Sequence, residues 1–207
     1  MLRQKHFIDS HKFATAFAVL GLMAWTDNWT NTTAWVYFGL HGSYGVLWVL
    51  KSRIFGDRQW EKPTSLAYGL VIWVALSGYW SAPYLILSSG FEAPPWFLGC
   101  AIFLFSLGVF CHFSADMQKH MALELNPGTL VTTNLWGKTR NPNYFGELLI
   151  YVGFTSLAWH WFPFVWLALM IIAVWIPNMI KKDRSLARYE EFPVYKKSSA
   201  LLVPYLL

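Results

Sequence analysis

The sequence predicts an all-α, polytopic membrane helix bundle of about six transmembrane helices with both termini on the cytoplasmic side. Three observations carry that expectation. Apolar residues make up 56% of the chain, aromatics 19% and charged residues 13%, a balance wrong for a water-soluble globule. The apolar residues gather in runs of the length that crosses the roughly 30 Å core of a bilayer. All sixteen lysines and arginines fall on alternate connections between those runs, as the positive-inside rule requires of cytoplasmic segments.

Taken in order, Met1 to Lys12 is polar and carries Arg3, Lys5 and Lys12. No small-residue cleavage site follows the next apolar run, so this lead reads as retained and not as a signal peptide. Phe13 to about Trp25 is the first apolar segment, short for a span unless it reaches toward Trp29. Thr26 to Thr33 is a polar loop with N-x-T sequons at Asn28 and Asn31, which read as chance matches because the loop is short and close to the bilayer. Ala34 to Leu50 is a second span holding His41 and Tyr44, followed by a basic loop with Lys51, Arg53, Arg58 and Lys62. The third span runs from about Leu66 to Leu87, interrupted at Ser81-Ala82-Pro83, and the fourth from Trp96 to about Phe113. Ser114 to Arg140 is the longest polar connection. Tyr144 to Trp159 and Phe162 to Ile180 form a tight hairpin, and the basic tail from Lys181 ends in the apolar run Leu201 to Leu207.

The whole chain reads as a single membrane domain, with less characteristic helices over 1–109 and a more distinctive half over 110–207. Its net charge of +5 sets topology and does not imply a nucleic-acid partner; the partners expected are membrane lipids. Cys100 and Cys111 have no ligand-spaced companions, so neither a disulfide framework nor a zinc site is expected.

Chemistry is expected on the basic face. Asn141 and Pro142 suit the start of a helix, which puts Asn143 and Glu147 four residues apart on one side. A carboxylate about one turn into an apolar segment is a functional candidate, with a glutamate reaching up to headgroup level as the alternative. Asp116 to His120, with Lys119, lies at the end of the fourth span, Arg140 to Glu147 at the start of the fifth, and Lys181 to Arg188 after the sixth. Together these could line one pocket, and basic groups beside a helix N-terminus favour phosphate. The run Lys181, Lys182, Arg184, Arg188 equally suits topology and anionic lipid. His41 and Tyr44 sit three apart within a span, as a proton donor or as a hydrogen-bonded structural pair. Neither GxGxxG nor GxxxxGK[ST] is present, which leaves a Rossmann domain or P-loop unsupported.

Ala115-Asp116-Met117-Gln118-Lys119, Arg140-Asn-Pro-Asn-Tyr-Phe-Gly-Glu147 and Leu186-Ala-Arg-Tyr-Glu-Glu-Phe-Pro193 to Pro204 resemble the C-terminal half of the steroid 5-alpha reductases, over roughly Phe110 to Leu207. Sterol reductases and isoprenylcysteine carboxyl methyltransferases are more distant members of that superfamily. The resemblance implies an NADPH site on the cytoplasmic side, with Asp116, Asn143 and Glu147 at matching positions. Of the further cofactor positions, the family's Asn ahead of Asp116 falls at His112, and an Arg, a His and a Tyr of its last span fall near Pro177, Lys181 and Ser185 by a gapless reading of the tail, where only Lys181 keeps a charge. A His-Tyr pair of the family matches loosely at Leu40-His41-Gly42-Ser43-Tyr44, making Tyr44 and Glu147 the catalytic candidates. The resembled family has seven spans, and its carbonyl-polarising glutamate has no obvious counterpart here.

Three functions follow as expectations. The first is an NADPH-dependent reductase of an enone-type lipid or steroid-like substrate. The second is a non-catalytic subunit of a larger membrane complex that has kept the fold. The third is a membrane methyltransferase using S-adenosylmethionine, suggested by Arg-x-Pro-x-Tyr-x-Gly over Arg140 to Gly146 and by the pair Glu190-Glu191. The compartment expected is the endoplasmic reticulum or mitochondrial membrane of a eukaryote, or the inner membrane of a bacterium.

Overall fold

The structure is a computed structural model that describes residues 1–206; Leu207, the end of the apolar tail, lies outside the described residues. Seven helices make up the described chain: α1 Gln4–Trp25, α2 over 32–54, α3 Leu66–Ser89, α4 Pro95–Leu125, α5 Pro142–Ser156, α6 Phe162–Leu186 and α7 Phe192–Ser198. Short 3-10 turns occupy Arg58–Glu61 and Asn134–Gly137. Among the described residues there is no strand, only isolated bridges at Arg3/Pro63 and Thr139/Ala200. Three helices, α3, α4 and α6, are long and apolar enough to cross a membrane, which marks a membrane protein. Two compact units form: Met1–Phe105 with Val152–Trp166, and Ser106–Tyr151 with residues 167–206.

In the first unit, α1 starts at Gln4 and takes in the polar lead expected to precede it. Aromatic rings explain why. His11 is buried and stacks on Trp80 with ring centres 4.8 Å apart, and the Lys12 ammonium lies 4.2 Å from the Tyr44 ring centre and 4.7 Å from that of Trp48. Such rings hold a cation where bulk water does not. Gly45 of α2 lets α1 approach, since a Cβ there would stand 2.1 Å from the Lys12 carbonyl oxygen. Asn31 caps α2: it accepts from the Ala34 N–H at 2.7 Å and its amide donates to the Phe91 carbonyl at 3.1 Å. It is buried, so that sequon is closed to glycosylation.

Inside α2 a π-helical turn covers Phe38–Gly42, and it pairs His41 with Tyr37 rather than with Tyr44. The Tyr37 hydroxyl lies 2.7 Å from His41 Nδ1 and donates to the Tyr79 carbonyl at 3.3 Å. The Tyr79 carbonyl is available because Pro83, four residues on, has no N–H to reach it. The same missing hydrogen bond accounts for the 3-10 turn Gly78–Trp80 in α3, at the interruption expected near Ser81.

α4 extends to Leu125, not Phe113. With 31 residues it is about 46 Å long, well beyond the bilayer core, so its last turns lift polar side chains clear of the apolar stretch. α5 begins at Pro142 as expected. In α6 a π-helical turn at Ile171–Trp175 precedes Pro177, again at the turn a proline leaves without its hydrogen bond.

Candidate functional site

The second unit gathers most of the predicted site. Its construction starts at Gly146, where a Cβ would stand 2.3 Å from the His112 backbone nitrogen and 2.7 Å from the Gly108 carbonyl oxygen. The backbones of α4 and α5 therefore touch, as small residues allow in membrane helix pairs. This contact sets His112 beside the start of α5, where its Nδ1–H donates to the Asn143 carbonyl at 2.9 Å. Because a carbonyl only accepts, the proton of a neutral His112 sits on Nδ1 and Nε2 carries the lone pair. Nε2 is 3.9 Å from Asp116 Oδ2, one turn along α4. The next turn supplies Lys119, with Nζ 3.4 Å from Asp116 Oδ1. His112 and Asp116 are both buried, so the carboxylate lies away from water with the Lys119 ammonium as its cationic neighbour.

Asn143 faces the same cluster through its backbone, and its side-chain Oδ1 is buried with no hydrogen-bond donor among the described residues. A buried amide oxygen left this way costs free energy, and an N–H-bearing ligand would satisfy it. Glu147 is half-buried one turn further into α5.

Arg140 has a different setting from the one expected of a phosphate ligand. Its Nε donates to both Asp183 oxygens, at 3.2 and 3.1 Å, while its terminal nitrogen donates to the carbonyls of Lys196 and Ser199. The chain beside it pairs with the tail: the Arg140 N–H donates to the Ala200 carbonyl at 2.9 Å, the Ala200 N–H to Lys138 at 3.0 Å, and the Asn141 amide to the Leu201 carbonyl at 2.8 Å. Arg140 and Asn141 thus latch the C-terminal segment against the start of α5.

Lys181 is exposed. Its neighbour Lys182 is the one turned inward, donating to the Arg140 carbonyl at 2.5 Å and to Asn141 Oδ1 at 3.0 Å, with its ammonium 4.3 Å from the Trp136 ring centre. Sequence reasoning named Lys182 only within the basic run and singled out Lys181, although helical phase carried a signal for Lys182, and it missed Trp136. Trp175 and Met179 are buried on α6, and steps of three and four residues from Met179 reach Lys182 and Asp183, not Lys181. Trp136 is buried, donates its indole N–H to the Ala115 carbonyl at 3.1 Å, and accepts at its own carbonyl from the Tyr195 hydroxyl at 2.7 Å. Burial pushes the Tyr195 phenol up to about 12, with Asp183 adding to the rise and Arg140 opposing it.

Tyr44 belongs to the first unit, buried beneath the Lys12 ammonium with its ring edge toward Trp48. The structure therefore gathers His112, Asp116, Lys119, Asn143, Arg140 and Lys182 in one unit, Arg140 as a latch, and leaves Lys181 on the surface.

Among known proteins, a family model described as a protein of unknown function, DUF1295, matches residues 58–199, about two thirds of the chain. No curated protein and no solved structure matches.

Proposed function

The chain belongs to the DUF1295 family of proteins of unknown function, and on that premise we propose that it is a membrane-embedded NADPH-dependent reductase of an enone-type lipid. The matched region takes in Ala115 to Lys119, Arg140 to Glu147 and Leu186 to Pro193, the stretches that resemble steroid 5-alpha reductases. The observation that carries the reading is Asn143 Oδ1, a buried acceptor without a donor, beside the buried His112 and Asp116.

These residues fit a nicotinamide: Asn143 would accept from its carboxamide N–H, with His112 fixing the Asn143 backbone and Asp116 and Lys119 lining the approach. When bound, the cofactor supplies the hydride. The protein's own work is to orient the reactants and to exclude water. Glu147, one turn deeper than Asn143, is the group proposed to hold the proton for the substrate oxygen or alpha-carbon. In the same reading the chain crosses the membrane six times with both termini in the cytoplasm.

A second reading, a non-catalytic subunit of a membrane complex, is favoured by the commitment of Arg140 and Lys182 to latching the tail. Titrating NADPH, NADH and S-adenosylmethionine against the detergent-purified protein separates the readings. Saturable NADPH binding that is lost in Asn143→Ala supports the reductase. Binding of S-adenosylmethionine alone transfers the assignment to methyl transfer, and a folded protein that binds none of the three is a subunit.

A further inference from the structure

A second polar site lies in the first unit, at the start of α1. The start of α1, the end of α2 and the turn at Arg58–Glu61 surround an open pocket of about 700 Å3 whose walls include Lys5, His6, Asp9, Ser52, Arg53 and Glu61. It shares Lys5, Asp9 and Glu61 with a smaller pocket of about 10 Å3, room for roughly one water. Trp60 lines this inner end, and its Nε1 is buried with no acceptor among the described residues. The walls are tied in place: the Gln4 N–H donates to the Lys62 carbonyl at 3.1 Å and the Thr64 N–H to the Leu2 carbonyl at 3.0 Å.

The charges of this site are of both signs. Glu61 pairs with both Arg3 and Lys5, the latter at 2.5 Å, and Lys51 pairs with Asp57 at 2.7 Å. Asp9 accepts from the Ser52 hydroxyl at 2.8 Å and from the Trp48 indole at 3.2 Å. Across both pockets the walls carry the acids Asp9, Asp57 and Glu61 and the bases Lys5, Lys51 and Arg53. A wall of this kind suits neither a polyanion nor a bare cation; it suits a ligand carrying both signs. Ile54 is exposed and follows Arg53 in the chain, and the exposed Leu2 and Leu66 lie a few residues from Lys5 and Glu61, Leu66 being the first residue of α3, which is long and apolar enough to cross a membrane. Such neighbours suit acyl chains.

We propose that this pocket binds the headgroup of a zwitterionic, amine-bearing phospholipid. The ammonium would be held by Asp9, whose oxygens accept only from neutral donors and keep further lone pairs, and the phosphate by Arg53 and His6 at the rim. Burial raises the Asp9 carboxyl above its ordinary value, opposed by Ser52, Trp48 and Lys5, and an ammonium at the pocket would offset part of that cost.

The test is native mass spectrometry of the full chain in detergent, exchanged with equal amounts of phosphatidylethanolamine, phosphatidylcholine and phosphatidylglycerol. The wild type should retain phosphatidylethanolamine over phosphatidylcholine by roughly tenfold, the equivalent of one charge-assisted hydrogen bond. Asp9→Asn should remove that preference, whereas Arg53→Gln, at an exposed position, should weaken all three lipids and keep it. Equal retention of the three by the wild type overturns the proposal whether or not Asp9→Asn folds. So does preferred retention of phosphatidylglycerol, an unchanged preference in folded Asp9→Asn, or displacement of the lipid by free phosphoethanolamine, which would mark a soluble ligand.

Discussion

Arg140 shows how one side chain organises its surroundings. Its guanidinium meets both oxygens of Asp183 and two carbonyls of the tail, a fork that the single ammonium of lysine does not reproduce. Arg140→Lys should therefore loosen the C-terminal segment. Arg140→Ala should cost roughly 3–5 kcal/mol, because it leaves the largely buried Asp183 without its partner. Thermal unfolding of the purified variants measures both, and an unchanged Arg140→Lys midpoint would contradict the latch. Tyr195 carries a pH signature. In the unfolded chain its phenol ionises near 10, while in the fold it keeps its proton up to about 12. The stability it contributes is fully present below pH 10 and is lost as pH rises through 12. Tyr195→Phe should lose about 0.5–1.5 kcal/mol at neutral pH with the hydrogen bond to Trp136. Its unfolding midpoint should also fall less steeply than the wild type's between pH 10 and 12.

At the scale of the helix, the contact of α4 with α5 rests on Gly108 and Gly146. Gly146→Ala places a Cβ against backbone atoms of His112 and Gly108, which no rotamer change relieves, so the helices must part at a cost of roughly 1–3 kcal/mol. If the contact also sets the site, cofactor affinity should fall with it; a titration of Gly146→Ala that matches the wild type would detach the site from the helix crossing. The helices themselves were legible in the sequence because apolar runs and the Asn141-Pro142 start are local signals. The reach of α4 to Leu125 was not, because the polar residues after Phe113 look like loop to composition alone; only the spacing of His112, Asp116 and Lys119 at four and three residues shows a helical face. The inward turn of Lys182 in place of Lys181 was legible in phase, and was lost to a register carried over without a gap. The pairing of Tyr37 with His41 follows the spacing of a helical turn, whereas the anchoring of the phenol on the Tyr79 carbonyl that Pro83 leaves open is a long-range effect.

For the whole molecule, the arrangement of charge makes the sharpest claim. The connections 51–65, 126–141 and the tail from Lys181 are basic, while 26–31 and 90–94 carry no lysine or arginine. Translocation disfavours the basic ones, so under the six-span reading they share the cytoplasmic side with Met1. Single cysteines introduced at Gln59, Asn126, Thr30 and Ser88, in a Cys100→Ala/Cys111→Ala background, turn this into a labelling experiment on sealed vesicles of known orientation. Gln59 and Asn126 should react with a membrane-impermeant reagent from the cytoplasmic side only, and Thr30 and Ser88 from the opposite side only. Gln59 and Ser88 flank α3, which is long and apolar enough to cross, so their labelling from one side would take α3 out of the membrane. Labelling of Thr30 from the cytoplasmic side would leave α3 in place and remove α1 and α2 as spans. The headgroup pocket at Asp9 gives that second outcome a further consequence. Its floor is built from α1 and α2, so if these helices lay on the bilayer instead of in it, the pocket would receive its lipid from the side and not from the end of a span.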